Sequence, residues 1–167
     1  MNTTELNLLY FRFTDIWKQF CELHNDLFFL SLDEYSCLLS SDVEAIEAKV
    51  SEKKEVIERI GQIEQIRTQC FNEIQTLLGP DNNMKNFREL IDYFSNTMPE
   101  EKEHKHLQRF NNLLIDLIGK IKDQNKKTQL FINKAIYSLQ TIRDEAMGVK
   151  PNTVYNKKGV ATKNLTT

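Results

Sequence analysis

Two overlapping segments have a spacing that could hold a metal ion: Glu101-Lys102-Glu103-His104 and Glu103-His104-Lys105-His106 both read Glu-x-x-His. On a helix this sets a carboxylate and an imidazole on one face. Di-iron bundles use that arrangement, but they need the motif on two helices plus further inward glutamates. No second Glu-x-x-His occurs elsewhere in the chain. Acids near a helix start favour its amide dipoles, so these residues are expected to cap and solvate a helix. His24, between Leu23 and Asn25, reads as a half-buried packing residue. There is no GxxxxGK[ST], no GxGxxG and no Ser/His/Asp grouping that spacing supports. The chain is read as no enzyme, with no catalytic residue, metal or cofactor.

The elements that would position any surface are helical. With 5 glycines and 3 prolines in 167 residues, the chain lacks the turn signals every ~8–12 residues that a β-sandwich or barrel requires. From Leu6 the apolar residues run Leu6, Leu9, Phe13, Ile16, Phe20, Leu23, Leu27 and Leu30, alternating threes and fours. Such a seam packs against a partner helix, and it predicts one helix over about residues 4–38. Tyr10, Trp17, Phe28 and Phe29 lie outside the seam, so this helix is either central in a bundle or open to another protein. Ser41 with Glu44 reads as a capping box starting a second helix. Its stripe runs from Val43 to Leu77, and Gly79-Pro80 stops it. Helices of ~34 and ~37 residues make an antiparallel hairpin roughly 50 Å long.

A short helix is predicted over Met84–Phe94. Thr97, Met98, Pro99 and Glu100 read as the cap of a last helix, whose stripe begins Leu107, Phe110, Leu114, Leu117, Ile121 and resumes at Leu130. Between these, Lys122 to Gln129 is polar. It is either a solvated stretch of helix or a polar layer that fixes register. Gly148 and Pro151 end the helix. The fold class is all-α, an elongated antiparallel hairpin or bundle of three long helices plus one short connecting helix. Residues 1–149 form the bundle. Residues 150–167 have no periodicity and little to bury, and are read as a flexible, disordered basic tail.

Lys150, Lys157, Lys158 and Lys163 give that tail four cations without an acid, leaving the remainder at 18 − 24 = −6 from 22 basic and 24 acidic residues overall. The net charge of −2 invites neither nucleic acid nor an anionic membrane. Cys21, Cys37 and Cys70 are odd in number and widely spaced, so no disulfide framework or CxxC site is read. No signal peptide is recognised at the start, and the longest apolar cluster, Leu27 to Leu32, falls far short of ~20 residues. A cytoplasmic protein without membrane insertion is expected. Broad seams also admit a homodimer through exchanged helices.

What remains is surface. Leu130, Phe131, Ile132, Ile136, Leu139, Ile142 and Met147, with Tyr137 alongside, are either core or the wall of a groove for an amphipathic helix read at i, i+3, i+4 and i+7.

The order of these features resembles the FlgN family of flagellar type III export chaperones, which serve hook-filament junction proteins. Three parts carry the likeness: the seamed first helix with Ser41-Asp42-Val43-Glu44-Ala45-Ile46 and Lys53-Lys54-Glu55; Asn125-Lys126-Lys127-Thr128-Gln129-Leu130-Phe131-Ile132; and Tyr155-Asn156-Lys157-Lys158-Gly159. They cover about residues 4–78 and 107–160. The connection from Pro80 to His106 is longer than the family pattern, and Thr128 replaces its second asparagine. The resemblance implies that Leu130 to Met147 holds the C-terminal amphipathic helix of hook-associated junction proteins and prevents premature assembly. It further implies that Tyr155, Asn156 and Gly159 dock on the cytoplasmic domain of the flagellar export gate. The alternative is a structural coiled-coil adaptor with another helical partner.

Overall fold

The computed structural model describes residues 3–79, 84–97, 104–148, 153–155 and 161–163, with the backbone alone at Thr3, Leu6, His104 and the last two segments. The order is α1 (Thr3–Ser40), α2 (Val43–Leu78), α3 (Phe87–Thr97), α4 (His104–Ala146), β1 (Thr153–Tyr155) and β2 (Ala161–Lys163). Among the described residues three long helices and one short one carry the fold, which is all-α as expected.

The turn between α1 and α2 explains why the second helix starts one residue later than the capping box suggests. Ser41 N–H donates to Leu38 O and Asp42 N–H to Cys37 O, at 3.2 and 3.1 Å, the paired bonds that close a helix through a left-handed residue. Ser41 is that residue, with φ +57°. It therefore cannot take the extended conformation an N-cap needs. Asp42 does, and its carboxylate accepts from Ala45 N–H at 3.1 Å. At the other end Gly79 (φ +79°) terminates α2, while Pro80 lies outside the described residues.

The short helix is shifted as well. Asn86 Oδ1 accepts from Glu89 N–H at 3.0 Å, and Glu89 reaches back to Lys85 N–H at 2.6 Å, so α3 begins at Phe87 and not at Met84. Met84 is instead buried ahead of it, with Gln75 donating to its carbonyl at 2.6 Å. Thr97 closes α3, its hydroxyl donating to Tyr93 O at 2.7 Å. The rest of the expected cap, Met98-Pro99-Glu100, lies outside the described residues.

The chain divides into two compact units, Met1–Asn125 and Lys126–Thr167, the boundary falling inside α4. In the first unit α1 and α2 run antiparallel: Arg12 pairs with Glu73 near one end of the hairpin and Glu34 with Lys53 near the other. The core is aromatic and sits toward the Arg12–Glu73 end. Tyr10, Phe13, Trp17 and Phe20 of α1 meet Cys70 and Ile74 of α2, Leu90, Ile91 and Phe94 of α3, and Leu107 of α4. Tyr10 and Trp17, which lie outside the α1 seam, are thus covered. Trp17 Nε1 donates to Asn111 Oδ1, and Cys21 Sγ to Phe110 O, both at 3.2 Å. Toward the opposite end the cover thins: Phe29, Leu39, Val43 and Val50 are exposed, and Ser31 and Val56 are the buried residues there.

In the second unit α4 ends at Ala146, with Gly148 (φ +69°) donating to Glu145 O at 3.1 Å. Pro151 lies outside the described residues. β1 and β2 pair antiparallel in the register Thr153↔Lys163, Val154↔Thr162, Tyr155↔Ala161.

Candidate functional site

A helix of 3.6 residues per turn advances about 100° per residue. Measured from Leu139, the α4 residues Leu107, Phe110, Leu114, Leu117, Ile121, Gln124 and Thr128 fall within about 60° of one line, and so do Ile132, Ile136 and Ile142. It is a single stripe. Its first part is covered: Leu107, Leu117, Ile121, Gln124 and Thr128 are all buried, and Phe110 and Leu114 are half-buried. Beyond Thr128 the cover thins, and from Ile136 onward the apolar stripe is exposed. Phe131 and Ile132 are half-buried, and exposure at Ile136, Leu139, Ile142 and Met147 runs from 49% to 70%.

The polar stretch Lys122 to Gln129 resolves accordingly. Gln124 and Thr128 are buried on the stripe, and the other six residues are exposed. Two polar side chains therefore continue the packed face where apolar ones stop. A buried polar group on a helix seam costs stability and selects register.

The stripe gathers most of the residues singled out from the sequence. Ile132, Ile136, Leu139 and Ile142 share it, Phe131 flanks it, and Met147 follows the last helical residue, its N–H donating to Arg143 O at 2.9 Å. Leu130 does not share it. It lies about 180° from Leu139, exposed on the opposite side of the helix beside Tyr137. Tyr155 is placed in β1, paired with Ala161. Asn156 and Gly159 lie outside the described residues.

Exposed apolar side chains at i, i+3 and i+4 over four turns give a helical partner several anchors, and contiguous apolar surface of this kind marks interaction sites. His24 Nδ1 is 2.7 Å from Phe20 O, tied to its own helix. Among the described residues no group of three His, Cys, Asp or Glu is placed to hold a metal ion. Glu101 and Glu103, half of the overlapping Glu-x-x-His pair, lie outside them. No described helix is long and apolar enough to cross a membrane.

The model of the family described as FlgN protein matches residues 1–163. The chain belongs to the FlgN family. No curated protein and no solved structure gave a match. FlgN proteins are flagellar export chaperones, not an enzyme family, and the match extends over the longer connection between α2 and α4 as well as over the tail. In this FlgN-family chain, sequence reasoning left α1 either central or open to another protein and did not locate the groove on the α1–α2 hairpin, where Asp26, Phe29, Asp33, Glu52 and Glu55 lie with Leu30 and Val56. Phe29, lying off the α1 seam, was the available signal.

Proposed function

We propose that this chain is a cytoplasmic export chaperone that carries hook-associated junction proteins by their C-terminal amphipathic helices. The observation that supports this reading is the α4 stripe, covered through Thr128, half-covered at Ile132 and open from Ile136 onward. A guest helix laid along Phe131, Ile132, Ile136, Leu139, Ile142 and Met147 would continue a packing pattern the chaperone already uses. Burying each leucine- or phenylalanine-sized side chain contributes ~1.5–3 kcal/mol before ordering costs. Four or five anchors therefore suit a reversible complex that must release its cargo.

The tail is assigned the second half of the task. Tyr155, with Asn156 and Gly159, docks on the cytoplasmic domain of the export gate, while the bundle retains the cargo. Separate positions for the two roles allow cargo to be held and presented at once.

The deciding experiment is calorimetric titration of the purified chain with peptides spanning the C-terminal helices of hook-associated proteins. Saturable binding that is lost in Ile136→Asp/Leu139→Asp supports the assignment. Absence of binding by the unaltered chain rejects it. Co-purification of an unrelated helical partner in place of these proteins would favour a coiled-coil adaptor.

A further inference from the structure

We propose that the α1–α2 groove seats the basic face of α4 from a second copy of this chain. The proposal does not depend on the guest-helix reading, because it uses the other side of α4.

The groove lies in the thinly covered part of the hairpin. Val56 is buried at its base and Phe29 is exposed along it. Asp26, Asp33, Glu52 and Glu55 surround these apolar residues. Lys49 answers part of this charge, 3.1 Å from Glu52 and 3.9 Å from Asp33. Asp26 and Glu55 enter no ion pair among the described residues. Four carboxylates thus face one ammonium around an uncovered aromatic ring. An occupant must be both apolar and cationic.

The chain contains one described segment of that kind. From Lys126 to Arg143 there are four cations, Lys126, Lys127, Lys134 and Arg143, and no acid. Lys126, Lys127 and Lys134 stand on the side of α4 facing away from Leu139, where exposed Leu130 and Tyr137 lie between them. None of the three lysines enters an ion pair among the described residues.

The two surfaces also agree in spacing. On α1, Asp26, Phe29 and Asp33 are separated by three and four residues; on α4, Lys127, Leu130 and Lys134 are separated by the same three and four. In each, an apolar anchor sits between two like charges a heptad apart, about 10 Å along the helix. Opposite charges flanking an apolar seam at heptad spacing are the arrangement that selects partner helices in coiled coils. Leu130 then packs beside Phe29 while the stripe through Leu139 stays open.

Sedimentation velocity on the full chain over a concentration series tests this. The unaltered chain is expected to self-associate, more weakly as salt shortens the Debye length from ~10 Å at 0.1 M to ~3 Å at 1 M. Asp26→Lys/Glu55→Lys and Lys127→Glu/Lys134→Glu should each weaken association about tenfold or more by setting like charges together. A chain carrying all four changes should recover it. All four side chains are exposed, so helical content by circular dichroism should remain unaltered. The proposal is overturned if the unaltered chain stays monomeric, if only one of the two pairs matters, if compaction is independent of concentration, or if the fourfold variant fails to recover. Each charge variant should keep its affinity for hook-associated peptides, which separates failure here from failure of the chaperone reading.

Discussion

Trp17 of α1 and Phe87 of α3 lie face to face, their ring centroids 3.5 Å apart and their planes 9° from parallel. Trp17 is almost completely buried, and Phe87 is half-buried as a lid over it. The stack joins the first helix to the short connecting helix and helps close the aromatic end of the hairpin.

Trp17→Ala should therefore cost about 3–5 kcal/mol, the range for truncating a large buried aromatic. Trp17 is the chain's single tryptophan, so its fluorescence reports the same region. Phe87→Ala should shift its emission to the red as water reaches the indole. Chemical denaturation followed by far-ultraviolet circular dichroism measures the first loss, and the emission spectrum of the Phe87→Ala variant checks the second.

The Ser41-Asp42 turn makes a second prediction. Asp42→Ala removes the carboxylate that accepts from Ala45 N–H and should cost ~0.5–2 kcal/mol. Ser41→Val would force a β-branched residue into a left-handed conformation and should destabilise further, whereas Ser41→Gly should be neutral or better. Thermal unfolding of the three variants ranks them.

Gly61 and Gly119 sit inside α2 and α4, and a methyl group added at either meets nothing within 4 Å. Gly61→Ala and Gly119→Ala should each stabilise by roughly 0.5–1 kcal/mol, the helix-interior penalty of glycine. The double variant should show close to the sum, because neither added methyl touches a shared neighbour.

Ile136→Asp/Leu139→Asp should leave the melting temperature nearly unchanged, since both side chains are exposed and surface changes usually stay within about 0.5 kcal/mol. Guest-peptide affinity should fall by at least tenfold. Tyr155→Ala should do the opposite, preserving guest affinity and weakening association with the export-gate domain. Parallel titrations with the two ligands separate these effects.

The thiols give a pH signature. Burial pushes Cys21 and Cys70 above the ordinary value of 9.0, with nearby Glu22 adding to the shift at Cys21. A raised thiol favours the folded state only while both states are protonated. That contribution is intact below pH 9 and is lost as pH rises from the unfolded value through the folded one. Stability should therefore decline above about pH 9 and decline less in Cys21→Ala/Cys70→Ala. At neutral pH a disulfide reagent should modify half-buried Cys37 ahead of the buried pair.

Much of this architecture was legible because long helices write their packing into residue spacing. The seam from Leu9 to Leu23 is buried as its threes and fours require, and Gly79 ends α2. Local signals near turns were harder to assign. Ser41 carries an N-cap side chain, yet its backbone is committed to closing α1, and Asn86 overrides the apolar pattern that extends back to Met84. The stripe on α4 was visible, but its exposure was not, because an isoleucine at a seam position looks the same with or without a neighbour. Leu130 stands apart from the stripe for a related reason: counting apolar residues in a short window ignores the helical angle between them.

The acid-free run from Lys126 to Arg143 has a further consequence for life at high copy number. An uncovered oily strip would ordinarily pair with its twin on another molecule, and such zippering drives precipitation. Here each strip is carried on a run with four cations and no acid, so like runs repel at a distance, although the lysines themselves stand on the side of α4 away from Leu139. That charge tempers clumping whenever the strip stands uncovered.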